Sequence, residues 1–319
     1  MSDHATMRNA MTVDVEDYFQ VQAFAHCIDR ADWEQIEPRV EASTNRILDQ
    51  FAAAGVTATF FTLGWVAQRH PGLVRRIVAE GHELASHGWE HTRADTQTPQ
   101  QFRADILRTR ETLEDLGGVA VKGYRAATFS INARNLWAFQ ELEAAGYAYS
   151  SSINPIQHDL YGMPDASRVP FQPGGSGLWE IPMTTVRAFG RNWPCSGGGY
   201  FRLLPKIFYY QGLKKVNRAE GRPGIFYFHP WEVDPEQPRI PACGWKSRLR
   251  HYTNLSQMPS ALDRLLRDFA WGRMDDIYAA ILAPGPVALY GRKLHHDPEN
   301  AQPGRCQRPG LGCVCDVTA

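Results

Sequence analysis

Short β-rich segments alternate with stretches of helical periodicity along most of the chain, and this alternation restricts the fold more than any other feature. Strands joined by helix-length crossovers run parallel, so the pattern predicts βα units around a mostly parallel sheet or barrel. The strand candidates are 11–17, 57–63, 82–86, 121–125, 147–152, 179–184 and 224–229. Between them, Ile47, Leu48 and Phe51 share one face of a helix over 43–54, and Leu73, Val74 and Ile77 do so over 71–80. Thr98-Pro99-Gln100-Gln101 reads as a helix start with a capping box, followed by Phe102, Ile106, Leu113 and Leu116 at helical spacing. A further helix is expected over 132–145, stopped by Gly146, and another over 257–270 carrying Met258, Leu262, Leu265, Leu266 and Phe269. The Pro- and Gly-rich stretch 155–200 predicts long loops, and 231–256 looks irregular.

The 319 residues suit one barrel domain over 1–292, with 231–292 as an extension packed on it and 293–319 as a polar, flexible tail. Thirty-four basic residues balance thirty-four acidic ones, which removes the long-range attraction on which nucleic-acid and anionic-membrane binders rely. The polar N-terminus lacks the basic start and apolar stretch of a secretory signal, and no apolar run reaches the roughly 18 residues of a membrane span. The expectation is a cytoplasmic chain without a transmembrane segment. Six cysteines in a chain this long do not suggest a disulfide framework, and Cys306, Cys313 and Cys315 match no common zinc spacing.

Four segments near predicted strand ends carry chemistry. In Val13-Asp14-Val15-Glu16-Asp17-Tyr18, strand alternation puts Asp14 and Glu16 on one face and Asp17 on the other. Three carboxylates in four residues repel one another, so a cation or a shared proton is the usual reason for tolerating them. In Ser86-His87-Gly88-Trp89-Glu90-His91, two histidines four apart lie on one side of a helical turn and can offer nitrogens to one metal ion. Arg125, in Gly123-Tyr124-Arg125-Ala126, can orient a carboxylate, and His229, between three aromatics and Pro230, is placed for proton transfer. All four sit at the C-terminal rim, where barrel enzymes assemble their sites. Two histidines with one carboxylate make a three-ligand set for zinc or a similar divalent ion, leaving a position open for water.

The order of these motifs resembles the polysaccharide deacetylase family, the nodulation-type chitooligosaccharide deacetylase homology domain. With Gly198-Gly199-Tyr200-Phe201-Arg202 and Phe228-His229-Pro230-Trp231-Glu232, the chain also resembles the subfamily from exosortase-linked exopolysaccharide loci. The resemblance implies a distorted (β/α)7 barrel with long loops and a C-terminal extension. It implies Asp14 as general base, His229 as general acid, Arg125 as the residue holding the base, and His87 and His91 as metal ligands. The family's first motif has adjacent aspartates where this chain has Asp14-Val15-Glu16-Asp17, so either Glu16 or Asp17 is the third ligand. Ala127 stands where the arginine motif usually has proline, and its N–H is a candidate oxyanion donor. Trp89, Tyr200 and Trp231 are candidates for stacking on sugar rings.

The activity this implies is metal-dependent hydrolysis of the acetamide of N-acetylated sugars in an exopolysaccharide or its precursor, with zinc as the first choice of metal. The expected partner is an N-acetylated glycan and not nucleic acid, with a homo-oligomer or contact with exopolysaccharide machinery as further expectations. The alternatives are a metal-independent, allantoinase-like C–N hydrolase and a carbohydrate-binding barrel without catalysis.

Overall fold

The computed structural model describes residues 7–283. The tail from 293 and its three cysteines lie outside the described residues, as do the last residues of the proposed extension. Parallel strands form the centre: β1 (Arg8–Val15), β2 (Thr59–Thr62), β3 (Glu83–Ser86), β4 (Gly123–Tyr124), β5 (Tyr149–Ser150) and β6 (Trp179–Glu180) pair in that order. An antiparallel hairpin, β7 (Thr185–Ala188) and β8 (Arg191–Pro194), stands apart. Strands β9 (Ile225–Phe228) and β10 (Ala270–Gly272) then return to pair with β1, parallel to it. Between β6 and β9 no strand ladder forms; the Tyr227 N–H instead bonds the Ser196 carbonyl at 2.9 Å, which bridges the gap with loop backbone. The sheet is thus a curled, distorted barrel of parallel strands wrapped by helices.

All seven expected strands are present, mostly shorter than the sequence suggests. The hairpin and β10 were not anticipated: Arg191-Asn192-Trp193-Pro194 carries no apolar alternation, and β10 is only three residues long. The α-helices of six residues or more among the described residues are α1 (Val40–Ala54), α2 (Gly64–Arg69), α3 (Pro71–Ala79), α4 (Pro99–Gly117), α5 (Trp137–Ala144), α6 (Gly198–Leu203), α7 (Lys206–Arg218), α8 (Trp245–Tyr252) and α9 (Met258–Asp268). The capping box at Thr98 forms as its residues suggest, with Thr98 accepting from the Gln101 N–H and Gln101 accepting from the Thr98 N–H. The helix expected from Asn132 starts only at Trp137. Asn132 and Asn135 side chains accept from the Arg134 and Asn132 N–H groups, a local turn that competes with the helix. Helices α2, α6, α7 and α8 were missed; α8, Trp-Lys-Ser-Arg-Leu-Arg-His-Tyr, lies in a stretch that reads as irregular and buries only His251, so no core-facing apolar stripe marks it.

Apolar residues of β1, β2, α1, α3 and α9, among them Val13, Phe60, Ile47, Leu73 and Leu265, share one buried cluster that clamps the strand bearing the first motif. A second cluster under α4 and α5, with Phe102, Ile106, Phe139 and Leu142, holds β3 and β4. The cysteine expectation needs correction: Cys27 and Cys243 form a disulfide across 216 residues, with Cα atoms 5.8 Å apart. Their spacing in sequence gave no hint of it, and such bridges persist mainly in oxidising compartments.

Candidate active site

Parallel register brings the first three motifs to one rim, since Val15 pairs with Thr62, Thr62 with Ser86 and Ser86 with Tyr124. The chain leaves β1 at Val15, and Glu16 follows in a tight turn whose N–H bonds the Asp14 carbonyl. Asp14 and Glu16 both enter the site, and both are buried. Asp17 goes elsewhere. Its carboxylate accepts the N–H groups of Tyr18, Arg39 and Val40 at 2.7–2.9 Å, which caps the start of α1. Burial pushes Asp17 up to about 6 against those hydrogen bonds. Of the two candidates for third ligand, only Glu16 meets the histidines.

Glu16, His87 and His91 present donor atoms that all lie within 4.8 Å of one another. His91 Nε2 lies 2.9 Å from Glu16 Oε2, an oxygen without a hydrogen-bond partner although fully buried. An orphaned buried carboxylate oxygen costs several kcal/mol unless something positive reaches it, so the donor set fits a divalent cation. The His87 Nδ1 lies 2.8 Å from the Arg125 carbonyl. A carbonyl only accepts, so Nδ1 carries the proton and Nε2 keeps its lone pair for a metal. Burial pulls His87 down to about 4, which keeps it neutral, as a ligand must be. Burial opposes the charge of Glu16, but His91, His229 and His87 outweigh it and hold the carboxyl well below the usual range.

The two histidines do not share a helical turn, contrary to the reading of their spacing. Gly88 and His91 both take left-handed backbone, with φ of +78° and +57°, and this irregular loop turns the rings toward each other, 5.4 Å apart. A non-glycine residue pays about 1–3 kcal/mol for such a backbone. Thr128 and Phe129 are also left-handed, in the short 3-10 turn Ala127–Phe129 that follows Arg125. The N–H groups that open such a turn have no partner within it, which leaves Ala127 placed as a donor at the rim.

Arg125 is fully buried and spreads its guanidinium over Asp14 Oδ1 (2.6 Å), Thr12 Oγ1 (2.8 Å), and the carbonyl and hydroxyl of Ser151 (3.2 Å each). Phe61 covers it at 4.0 Å. Asp14 is therefore pinned from behind by a charge that water does not screen.

His229 is the most exposed of these groups, with its side chain at 19%. Its Nε2 lies 3.5 Å from Glu16 Oε1, while its Nδ1 donates to Glu232 at 2.8 Å. Burial works against the imidazolium, but Glu16 and Glu232 outweigh it and push His229 up to about 9. Glu232 in turn accepts from Arg202 Nε at 2.7 Å, and Arg202 also donates to the carbonyls of Arg250 and His251. The buried line Arg202–Glu232–His229 was not assigned from sequence. Its signal was Gly198: a Cβ there would lie 2.5–2.8 Å from the Glu232 carboxylate, so the glycine makes room for it.

Two of the aromatic expectations need correction. Trp89 is buried, with Arg108 3.3 Å from its ring centroid and its edge where a Cβ on Gly64 would sit, so it packs the loop and offers no open face. Trp231 is stacked with His229 (5.1 Å) and His251 (4.1 Å) and donates its indole N–H to Glu16 Oε1 at 3.3 Å. It orients the Glu16 carboxylate and does not stand free for a sugar. Tyr200 is half-buried beside Tyr161 at the rim, next to Phe129 and Tyr227.

Residues 27–149 match the polysaccharide deacetylase family, and 151–279 match a domain of unknown function, DUF3473. The chain is 35% identical over 99 residues to a peptidoglycan-N-acetylglucosamine deacetylase of Bacillus cereus, covering 31% of this chain and 36% of that one. It is 40% identical over 70 residues to a chitooligosaccharide deacetylase of Rhizobium leguminosarum bv. trifolii, covering 22% and 33%. It thus spans about a third of the length of these two relatives. A crystal structure from Mycobacterium smegmatis, whose name places it among the polysaccharide deacetylases, superposes with a TM-score of 0.57 at 19% identity, over 91% of this chain and 96% of that one. That likeness is one of fold. His87, His91 and Arg125 fall in the first matched segment, His229, Glu232 and Arg202 in the second, and Asp14 and Glu16 precede both. Over residues 27–149, the chain is therefore similar to the polysaccharide deacetylase family.

Proposed function

We propose that this chain is a metal-dependent carbohydrate N-deacetylase, acting on N-acetylated sugars of an exopolysaccharide or its precursor. The observation that carries the reading is the convergence of an arginine-held Asp14, a Glu16–His87–His91 donor set and a carboxylate-backed His229 in one buried rim. A divalent cation on Glu16, His87 and His91, with zinc as the first choice, supplies Lewis acidity to the acetamide carbonyl and to a water molecule.

The protein's own groups do the rest. Arg125 holds and aims Asp14 through a 2.6 Å hydrogen bond, so that Asp14 takes the proton of the attacking water. The Ala127 N–H is positioned to help hold the oxygen that becomes negative, a contribution of roughly 3–4 kcal/mol for a good donor. His229, whose Nδ1–H is held by the Glu232 carboxylate at 2.8 Å, gives its Nε2 proton to the departing amine. Trp231 holds the Glu16 carboxylate, and Tyr200 meets the sugar at the rim. A metal-independent ring hydrolase has no use for the orphaned Glu16 oxygen, and a purely binding barrel has none for the Arg125–Asp14 pair.

Release of acetate from an N-acetylglucosamine oligomer tests the reading, with Asp14→Asn and His229→Ala as controls. Both variants are expected to lose at least two orders of magnitude in kcat. Turnover like that of the unaltered chain in Asp14→Asn would sink the assigned mechanism.

A further inference from the structure

The balanced total charge conceals a segregated surface. Residues 181–219 carry seven Lys and Arg, of which Arg202 is buried against Glu232, and residues 237–262 carry four, without a single Asp or Glu in either stretch. These stretches hold α6, α7 and α8: Arg202 on α6 donates to the carbonyls of Arg250 and His251 at the end of α8, and α7 follows α6 directly in the chain. The same helices expose large apolar side chains: Trp245 is 70% exposed, Phe208 66%, and Ile207 and Leu249 57% each. Trp245 and Leu249 are one helical turn apart, with exposed Lys246 and Arg248 between them. Beside them lies a depression of about 420 Å³ lined by Arg239, Trp245, Arg248, Leu249, Tyr252 and Thr253.

Solvated helices do not ordinarily show such side chains, and apolar patches on a soluble chain mark interaction surfaces. We propose that this face docks on an anionic phospholipid surface. Indole and aliphatic groups flanked by Lys and Arg, on helices that carry no acidic residue of their own and with Asp159 across from Arg250, are the pattern of helices that lie in a bilayer interface. The arginines of the depression suit a lipid phosphate. Nucleic acid would use the cations but gains little from Ile207 and Leu249. A second copy of this chain meeting it face to face would set cation against cation. The face also adjoins the site: Arg250 pairs with Asp159 at 3.3 Å, and His158 stacks on Tyr161 beside Phe129 and Tyr200. A docked molecule therefore holds its catalytic rim next to the bilayer, where a lipid-borne substrate is presented. The docking itself does not depend on the deacetylase reading.

The test is cosedimentation of the full chain with vesicles of phosphatidylcholine alone or mixed with phosphatidylglycerol, at low and high salt. Strong binding to mixed vesicles, weakened by salt, is expected, with little on phosphatidylcholine alone. Lys246→Glu with Arg248→Glu should lower partitioning by roughly tenfold or more, and Trp245→Ala with Leu249→Ala should lower it with the charge intact. Both pairs should leave acetate release from a soluble chitooligosaccharide unchanged, so loss of docking and loss of activity are read separately. Absence of binding to mixed vesicles at low salt overturns the proposal. So does equal binding by the Lys246→Glu/Arg248→Glu variant, or self-association or nucleic-acid binding that these changes abolish in a chain that ignores vesicles.

Discussion

Replacing Glu232 by Gln tests the proton-donor half of the mechanism without changing side-chain shape. Glu232 is fully buried, and one oxygen accepts both the backbone N–H and the Nδ1–H of His229 while the other accepts from Arg202. An amide has one oxygen to offer, and placing it toward His229 loses one donor while placing it toward Arg202 loses two. The oxygen therefore stays with His229, and the imidazolium loses a charged partner but keeps a hydrogen bond. A hydrogen bond to a charged group contributes about 1.5–3 kcal/mol and a neutral one about 1, so the difference is on the order of 1–2 kcal/mol, or roughly one pH unit. Because Glu232 raises the affinity of His229 for its proton, removing that charge lets the proton leave at lower pH. The basic limb of kcat/KM against pH, measured by acetate release, should move down by roughly one unit while the acidic limb stays. Arg202 keeps its backbone carbonyls, which limits the loss of stability. A basic limb that does not move, in a folded variant, would refute the assignment of His229 as the group that protonates the amine.

The carboxylates of the first motif should separate cleanly. Glu16→Gln should weaken zinc binding by at least roughly a hundredfold by calorimetry, whereas Asp17→Ala should retain the metal and lose about 2 kcal/mol in urea denaturation, as expected of a lost helix cap; the opposite pattern would exchange their roles. Glu180 is buried with one oxygen unpartnered, and burial pushes it up to about 7 against bonds from the Ser152 and Ile153 N–H groups. A raised carboxyl binds its proton more tightly folded than unfolded, so its contribution to stability falls as pH rises from about 4.5 to 7. Glu180→Gln should thus raise Tm relative to the unaltered chain at pH 8 more than at pH 5, and a pH-independent difference would contradict this.

The residues of the site that the sequence made legible are those whose position is set by strand register. Asp14, Arg125 and His229 sit on or directly after strands, so finding the strands found the rim. His87 and His91 were found for a wrong geometric reason: H-x3-H suggests a helical turn, yet left-handed Gly88 and His91 do the work. Glu16 and Asp17 differ only in where the loop bends after Val15, which alternation alone does not decide. The tryptophans failed as sugar platforms because burial of Trp89 and Trp231 depends on partners far along the chain, Arg108 for one and His251 for the other. Arg202 and Glu232, 30 residues apart, pair only through the fold. Net charge was silent for a simpler reason: a sum over the chain carries no information about which face holds the cations.

The central claim is that Glu16, His87 and His91 hold a cation that the chemistry needs. The most direct measurement is acetate release from an N-acetylglucosamine oligomer by chelator-stripped protein as zinc is added back. Activity near zero at the start, rising to a plateau at one equivalent and absent throughout in Glu16→Gln, is the outcome this account predicts. Stripped protein as active as untreated protein, with no response to added metal, would contradict it.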